Sequence, residues 1–328
     1  MRPGFLTVGV WTEKKPGLGE DAEPLLLHNW AKHRGIAAVF DGAGGAGAAS
    51  AGITQAGTER THAWIASRAV RGLVEEWFVD TRRPGPSPSD ELRELLATGL
   101  GELRGGSVRK IVGSMRRELP TTLAAVAYRV RNAHIEWNVL WAGDSRTFLL
   151  SARDGLQQLS VDDTAADDAL VLLVDDPVMT NMVCADRSFE INVARGESPM
   201  PCLLVAATDG FFGYVNTPAE AEHVLLDTLM AAESVDHWAM LLAETVGSYT
   251  GDDSSLAIVA FGFADIVELR SAFQRRNGVL ATEHVAPMRR AADADRETFV
   301  AARAESWRRY RSDYERRMPL RQEEEQPC

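Results

Sequence analysis

Hydrophobic positions along the chain repeat with two periods. In HIEWNVLWAG, residues 134–143, Ile135, Trp137, Val139 and Trp141 alternate with other positions, the two-residue period of a strand with one covered face. Residues 5–12 (FLTVGVWT), 36–40 (IAAVF) and 121–128 (TTLAAVAY) also predict strands. Residues 146–151 and 156–160 predict a pair joined at the Asp154-Gly155 turn. Residues 203–208 (LLVAAT) and 255–263 (SLAIVAFGF) are apolar on both faces, which predicts central strands covered on both sides.

Four-residue spacing takes over elsewhere. From about Arg60 to Val79, the positions of Ile65, Ala69, Leu73 and Trp77 predict a helix. RRPGPSPSD (82–90) reads as a loop, with Ser89 or Asp90 capping a helix over 90–103. A short basic helix is expected at 107–117, and two more helices at 218–232 and 235–247. Residues 165–201 mix acids with apolar residues without a period and predict an irregular flap. After Phe263 the character changes. Residues 286–318 are rich in Arg, Glu and Ala with Phe299, Trp307, Tyr310 and Tyr314 interspersed, a helical pattern that ends in a frayed RQEEEQPC. The order of elements predicts an α+β fold with sheets inside and helices outside. It divides into a body, 1–263, and an Arg-rich helical C-terminal extension, 264–328.

Charge sharpens that division. Of the net charge of −12, residues 1–263 carry −13 and residues 264–328 carry +1. An acidic body excludes nonspecific nucleic-acid binding, which needs a cationic surface, and suits divalent cations. It also offers the extension a surface to dock on; the alternative is that its aromatics bind a protein partner. Cys184, Cys202 and Cys328 have neither disulfide-framework nor zinc spacing. No run approaches the roughly 20 apolar residues of a membrane helix, and none resembles a signal peptide, so a soluble, cytoplasmic protein is expected.

Four Asp-containing turns sit at predicted strand ends: VFDGAGG (39–45), WAGDSR (141–146), AATDGFF (206–212) and TGDDSSLAIV (250–259). Any one of them reads as an ordinary turn. Together they place carboxylates where neighbouring strands bring them to one point. Hard divalent ions favour such oxygen ligands, and glycine beside each Asp allows close backbone approach. The histidines have no ligand spacing, and GAGGAGAASAG lacks the Gly-Lys-Ser/Thr of a nucleotide loop.

In these motifs the chain resembles the type 2C (PPM-type) metal-dependent protein phosphatases. Glu20-Asp21 match the early acidic pair, and Asp41-Gly42 match the F-D-G motif. Thr121-Thr122-Leu123 match the T-T-L strand opening. Gly143 to Arg146 match G-D-S-R, Thr208-Asp209-Gly210 match S-D-G, and Asp252 to Leu256 match D-N-x-[ST]-[VL]. The match spans about residues 5–263. It implies a four-layer αββα sandwich of two antiparallel sheets flanked by helices. It also implies hydrolysis of phosphoserine or phosphothreonine in a phosphorylated protein by a water bridging two Mg²⁺ or Mn²⁺ ions. Asp41 would bridge the ions, with the Gly42 carbonyl on one and Asp209 and Asp252 on the other. Asp21 would lie near them through water, and Asp144 would serve a third, weaker position. Asp253 competes with Asp252, although counting from Ser255 favours Asp252. Arg146 reads as a partner of acids.

The chain departs from the family around the substrate. The Arg that binds substrate phosphate is missing from KKPGLGED, leaving Lys14 or Lys15 as point-charge substitutes. Ala43 replaces the eukaryotic His, and Gly19 replaces an Asn. A pseudophosphatase that binds phosphoproteins without hydrolysing them is the competing expectation.

Overall fold

The computed structural model describes residues 4–53, 57–80, 87–104, 117–165 and 178–320. One antiparallel sheet runs in the order Phe5–Thr12 (β1), Ser254–Phe261 (β12), Cys202–Ala207 (β11), Arg146–Ser151 (β8), Gly155–Gln158 (β9). The second runs Asn192–Pro199 (β10), His134–Ala142 (β7), Leu123–Arg131 (β6), Arg34–Val39 (β3), Leu25–Asn29 (β2). A separate hairpin pairs Ser50–Ile53 (β4) with Glu59–Thr61 (β5).

Three hydrophobic cores make this a four-layer αββα sandwich. Val39, Val126, Trp137, Leu149, Leu204 and Val259 fill the space between the sheets. After a single helical turn at Gly44–Gly47 (α1), helices His62–Val79 (α2) and Pro88–Arg104 (α3) cover the second sheet, with Val70, Val74 and Leu96 packed on Ile36 and Leu140. Helices Pro218–Ala231 (α5) and Val235–Tyr249 (α6) cover the first sheet. The doubly apolar strands are the covered ones. In β11, Leu203 and Val205 face the helices while Leu204 and Ala206 face the other sheet; in β12, Ile258 and Val259 divide the same way. Trp137 and Trp141 are core residues, and Gly155 turns the β8–β9 hairpin with φ 74°.

Several expectations need correction. Residues 192–199 are not part of an irregular flap but form β10, an edge strand paired with β7. Its inward positions, Asn192, Ala194, Gly196 and Ser198, carry no large apolar side chain, so periodicity could not reveal it. The edge strand β2 escaped notice for a different reason: its apolar run, Leu25, Leu26 and Leu27, is too short to show a period. Helix α3 begins at Pro88, and its cap is Ser87, whose Oγ accepts from the Asp90 N–H at 3.4 Å, rather than Ser89 or Asp90. The helix expected at 107–117 falls almost wholly outside the described residues. So do most of the 165–177 stretch and the terminal RQEEEQPC.

The C-terminal extension is helical from Ile266, earlier than the aromatic pattern suggested. It comprises Ile266–Leu280 (α7), a π-turn at Ala281–Val285, Ala286–Ala294 (α8) and Arg296–Tyr314 (α9). It packs back on the body. Trp307, Tyr310 and Tyr314 are buried in the same core as α5 and α6. Buried Glu222 of α5 pairs with Arg276 of α7 at 2.7 Å and accepts the Tyr310 hydroxyl. Among the described residues, no helix is long and apolar enough to cross a membrane.

Candidate functional site

Strand register brings the four aspartate turns to one end of the sandwich. In the second sheet Val39 pairs with Ala124 and Leu123 with Ala142, so the chain leaves β3 toward Asp41 beside the point where it leaves β7 toward Asp144. In the first sheet Ala207 pairs with both Leu256 and Arg146, which sets Asp209, Asp252 and Asp144 at the matching end. Thr12 opposite Ser254 delivers the loop that carries Asp21.

Side chains then lock these turns together. The Asp41 carbonyl accepts from Thr121 Oγ1 at 2.6 Å and from the Thr122 N–H at 2.8 Å. The Thr122 hydroxyl lies 2.6 Å from that of Ser145, so one threonine joins the Asp41 turn to the Asp144 turn. Thr208 donates its hydroxyl to Asp21 Oδ2 at 2.9 Å and accepts the Ser255 N–H at 2.8 Å. The Ser255 hydroxyl bonds the Ala22 carbonyl at 2.9 Å. Two glycines permit the crowding. A Cβ at Gly42 would stand 2.5 Å from the Glu20 carbonyl oxygen, and one at Gly210 would stand 1.8 Å from that of Asp253.

The electrostatics are unfavourable as the acids stand. Asp21 is buried, Asp41, Asp144 and Asp209 are half-buried, and Asp252 is exposed. Burial, then the charges of Asp21, Asp209, Asp144 and Asp252, hold the Asp41 carboxyl well above the ordinary carboxylate range. Asp21 is raised by burial, then by Asp253 and Asp209, despite the Thr208 hydrogen bond. Asp144 is raised by burial, then by Asp209 and Asp162. Asp144 Oδ1 is buried and accepts no hydrogen bond among the described residues. A carboxylate ion is costly in such a place unless a cation joins it, so these residues fit a divalent ion. Among the described residues, no three acidic, His or Cys side chains already form a closed ligand set.

The Asp252-Asp253 doublet divides its work. Asp253 Oδ1 accepts from the Lys14 N–H at 2.7 Å, and Oδ2 accepts from the Glu20 N–H at 2.6 Å, so this carboxylate anchors the 14–20 loop. Lys14 and Lys15 border a cleft of about 480 Å³ together with Asp252, Asp253, Arg60 and Trp64. Lys14 Nζ donates to the Thr250 carbonyl at 3.1 Å. Arg60 went unnoticed in the sequence, since nothing in a residue 40 positions beyond Glu20 signals that it faces the same cleft. Its guanidinium stacks 4.3 Å over Trp64 and donates to the Gly17 carbonyl at 2.6 Å. Asp162 and Asp163 were also missed. Arg146 pairs with Asp162 at 2.7 Å, and Asp163 Oδ2 accepts from the Gly143 N–H at 3.0 Å, so the two brace the Asp144 turn from both sides. A second cavity, about 390 Å³ between Arg34, Trp77, Tyr128 and Arg195, includes none of the clustered aspartates.

No family model and no curated protein matches the chain in sequence. Solved structures match it in shape. A bacterial serine phosphatase superposes with a TM-score of 0.53 at 16% identity, covering 81% of this chain and 99% of its own. The Mycobacterium tuberculosis serine/threonine phosphatase PstP/Ppp gives 0.53 at 15% identity, with 78% and 98% covered. Serine/threonine phosphatase Stp1 from Staphylococcus aureus gives 0.53 at 15%, with 79% and 97% covered. The chain therefore has the fold of the PPM-type serine/threonine phosphatases. About a fifth of it has no counterpart in these three structures.

Proposed function

We propose that the chain is a metal-dependent protein phosphatase, a phosphoric monoester hydrolase acting on phosphoserine or phosphothreonine in a protein substrate. The observation that carries this reading is the gathering of carboxylates from five separate segments at one end of the sandwich, each disfavouring the charge of the others. Two Mg²⁺ or Mn²⁺ ions are the cofactor. Asp41, the Gly42 carbonyl, Asp209 and Asp252 would hold them, with Asp21 near them through water and Asp144 at a third, weaker position. Bound ions supply positive charge for the phosphoryl oxygens and a water acidic enough to attack phosphorus.

The protein's own groups do the rest. Thr121 and Thr122 fix the backbone of Asp41, and Thr208 fixes the carboxylate of Asp21. Both oxygens of Asp253 are engaged by backbone amides, which supports Asp252 as the ligand of the doublet. Lys14 and Lys15 would face the substrate phosphate from the cleft wall. Ala43 offers no proton, so the leaving alkoxide would take one from solvent or another acid. Residues 1–263 form the phosphatase domain, and 264–328 extend it. The test is turnover of a phosphopeptide and of p-nitrophenyl phosphate with Mn²⁺ or Mg²⁺, with Asp209→Asn as control. A folded chain with no metal-dependent turnover defeats the reading.

One observation favours the second reading, a pseudophosphatase that binds phosphoproteins. Lys14 Nζ is engaged by a backbone carbonyl, and the 13–21 segment offers no bidentate cation. Calorimetry that detects phosphopeptide binding without hydrolysis would select it.

A further inference from the structure

A chain of contacts runs from the last helix to the aspartate turns. Tyr314, near the end of α9, is 1% exposed, and its ring packs against Phe148, Trp307 and Tyr310. Its hydroxyl accepts from Arg146 Nη1 at 3.4 Å. Arg146 is equally buried. Its Nε and Nη2 grip Asp162 at 2.9 and 2.7 Å, and its guanidinium lies 4.2 Å over the Phe212 ring. Arg146 follows Asp144 by two residues, and Phe212 ends the Asp209–Phe212 turn (α4). One guanidinium therefore touches two of the turns that carry the acids, and α9 closes over it from outside. A second tie, from Arg317 Nε to Gln157 at 3.1 Å, holds the segment after α9 against β9.

The geometry points to Tyr314 as a positioning residue: through Arg146 it fixes the Asp144 and Asp209 turns relative to each other, so that the C-terminal helix sets the affinity of the aspartate cluster for its cations. The cation part rests on the metal-dependent reading above; the positioning part does not. An Arg already held by one carboxylate still has freedom to rotate and slide. A hydroxyl on its far nitrogen and an aromatic wall beside it remove that freedom. Partners of this kind, one layer behind the ligands, commonly change metal affinity by about 10–100-fold. Tyr314 acts one layer further out, so a smaller factor is expected.

The test compares full-length wild type, Tyr314→Phe, Tyr314→Ala and Leu242→Ala. Leu242 is a fully buried residue of α6 in the same core, and its truncation controls for general loosening. Hydrogen exchange on the metal-free protein reads positioning directly. In Tyr314→Ala the amides of Gly143–Arg146 and Asp209–Phe212 should exchange faster, and in Leu242→Ala they should not. Calorimetry with Mn²⁺ should give affinity reduced about threefold in Tyr314→Phe and about tenfold in Tyr314→Ala, and unchanged in Leu242→Ala. Faster exchange confined to residues 296–314 overturns the proposal. So does unaltered Mn²⁺ affinity in a Tyr314→Ala protein whose melting temperature has fallen. The expected exchange response in Tyr314→Ala together with a wild type that binds no Mn²⁺ removes the metal-dependent reading and leaves the positioning role standing.

Discussion

Two regions of this molecule bury ionisable groups, and they treat charge in opposite ways. Beneath the C-terminal helices, among the described residues, the buried charges are paired: Glu222 has Arg276 and the Tyr310 hydroxyl, and Arg146 has Asp162 and the Tyr314 hydroxyl. At the aspartate end, acids face acids, and Asp21, Asp41 and Asp144 are all pushed toward their neutral forms. Burying an unpaired charge costs several kcal/mol, so a fold keeps it only where something else compensates. The paired region is built for stability. The acid-against-acid one has the perturbed carboxyls common at functional sites, which supports the metal-dependent reading proposed above.

The sharpest way to break this comparison is Asp209→Asn. Turnover of a phosphopeptide in Mn²⁺ should fall by about a thousandfold, the scale of losing a group that organises charge in the transition state. The folded state should survive by circular dichroism.

Arg276→Met probes the other region. It leaves Glu222 buried with only a tyrosine hydroxyl and should cost about 3 kcal/mol or more in urea denaturation, with the effect on stability rather than on metal dependence. If it proves neutral, the paired region is not holding the extension down.

Asp41→Asn should change stability in the opposite direction. A carboxyl whose folded pKa is raised contributes stability below its unfolded value and loses it as pH rises through the folded value. At neutral pH the Asp41 carboxyl, which unfolding lets ionise freely, therefore weighs against the metal-free fold. The variant should melt above the metal-free wild type, with the gap widening from mildly acidic to neutral pH. Saturating Mn²⁺ should reverse the order, because ligand binding stabilises only the chain that binds it.

The smallest effect concerns His284, whose ring nitrogen lies 2.9 Å from the Ser306 hydroxyl. Burial, then Arg309 and Arg276, lower its pKa from 6.5, against weaker opposition from Glu283 and Glu222. Its contribution is present above the unfolded value and lost as pH falls from there through the folded one. Urea midpoints should therefore drop between about pH 7 and pH 5, and His284→Gln should flatten that drop.

How much of this was legible beforehand depended on where each residue lies. Strands β11 and β12 declared themselves because both of their faces are buried. Ile135, Trp137, Val139 and Trp141 did so by alternation. β10 lies at a sheet edge and turns only Asn192, Ala194, Gly196 and Ser198 inward, and the apolar run of β2, Leu25 to Leu27, is too short to show a period. The acids were legible as turns, since Asp and Gly mark strand ends, and the resemblance to PPM-type phosphatases gave them roles. The helix from Ile266 was hidden by its mixed polar surface. The buried faces of Trp307, Tyr310 and Tyr314 could be read as aromatic but not assigned to a partner.

The sequence by itself determined the periods of the strands and helices and the identity of the acids at strand ends, because these depend on neighbours a few residues apart. Only the tertiary structure decided which distant groups meet. It gave both oxygens of Asp253 to the amides of Lys14 and Glu20, set Arg60 in a cleft with the two lysines, and laid Tyr314 over Arg146 across 168 residues of chain. Such contacts are fixed by sheet register and by the packing of whole layers, and no local pattern carries that information.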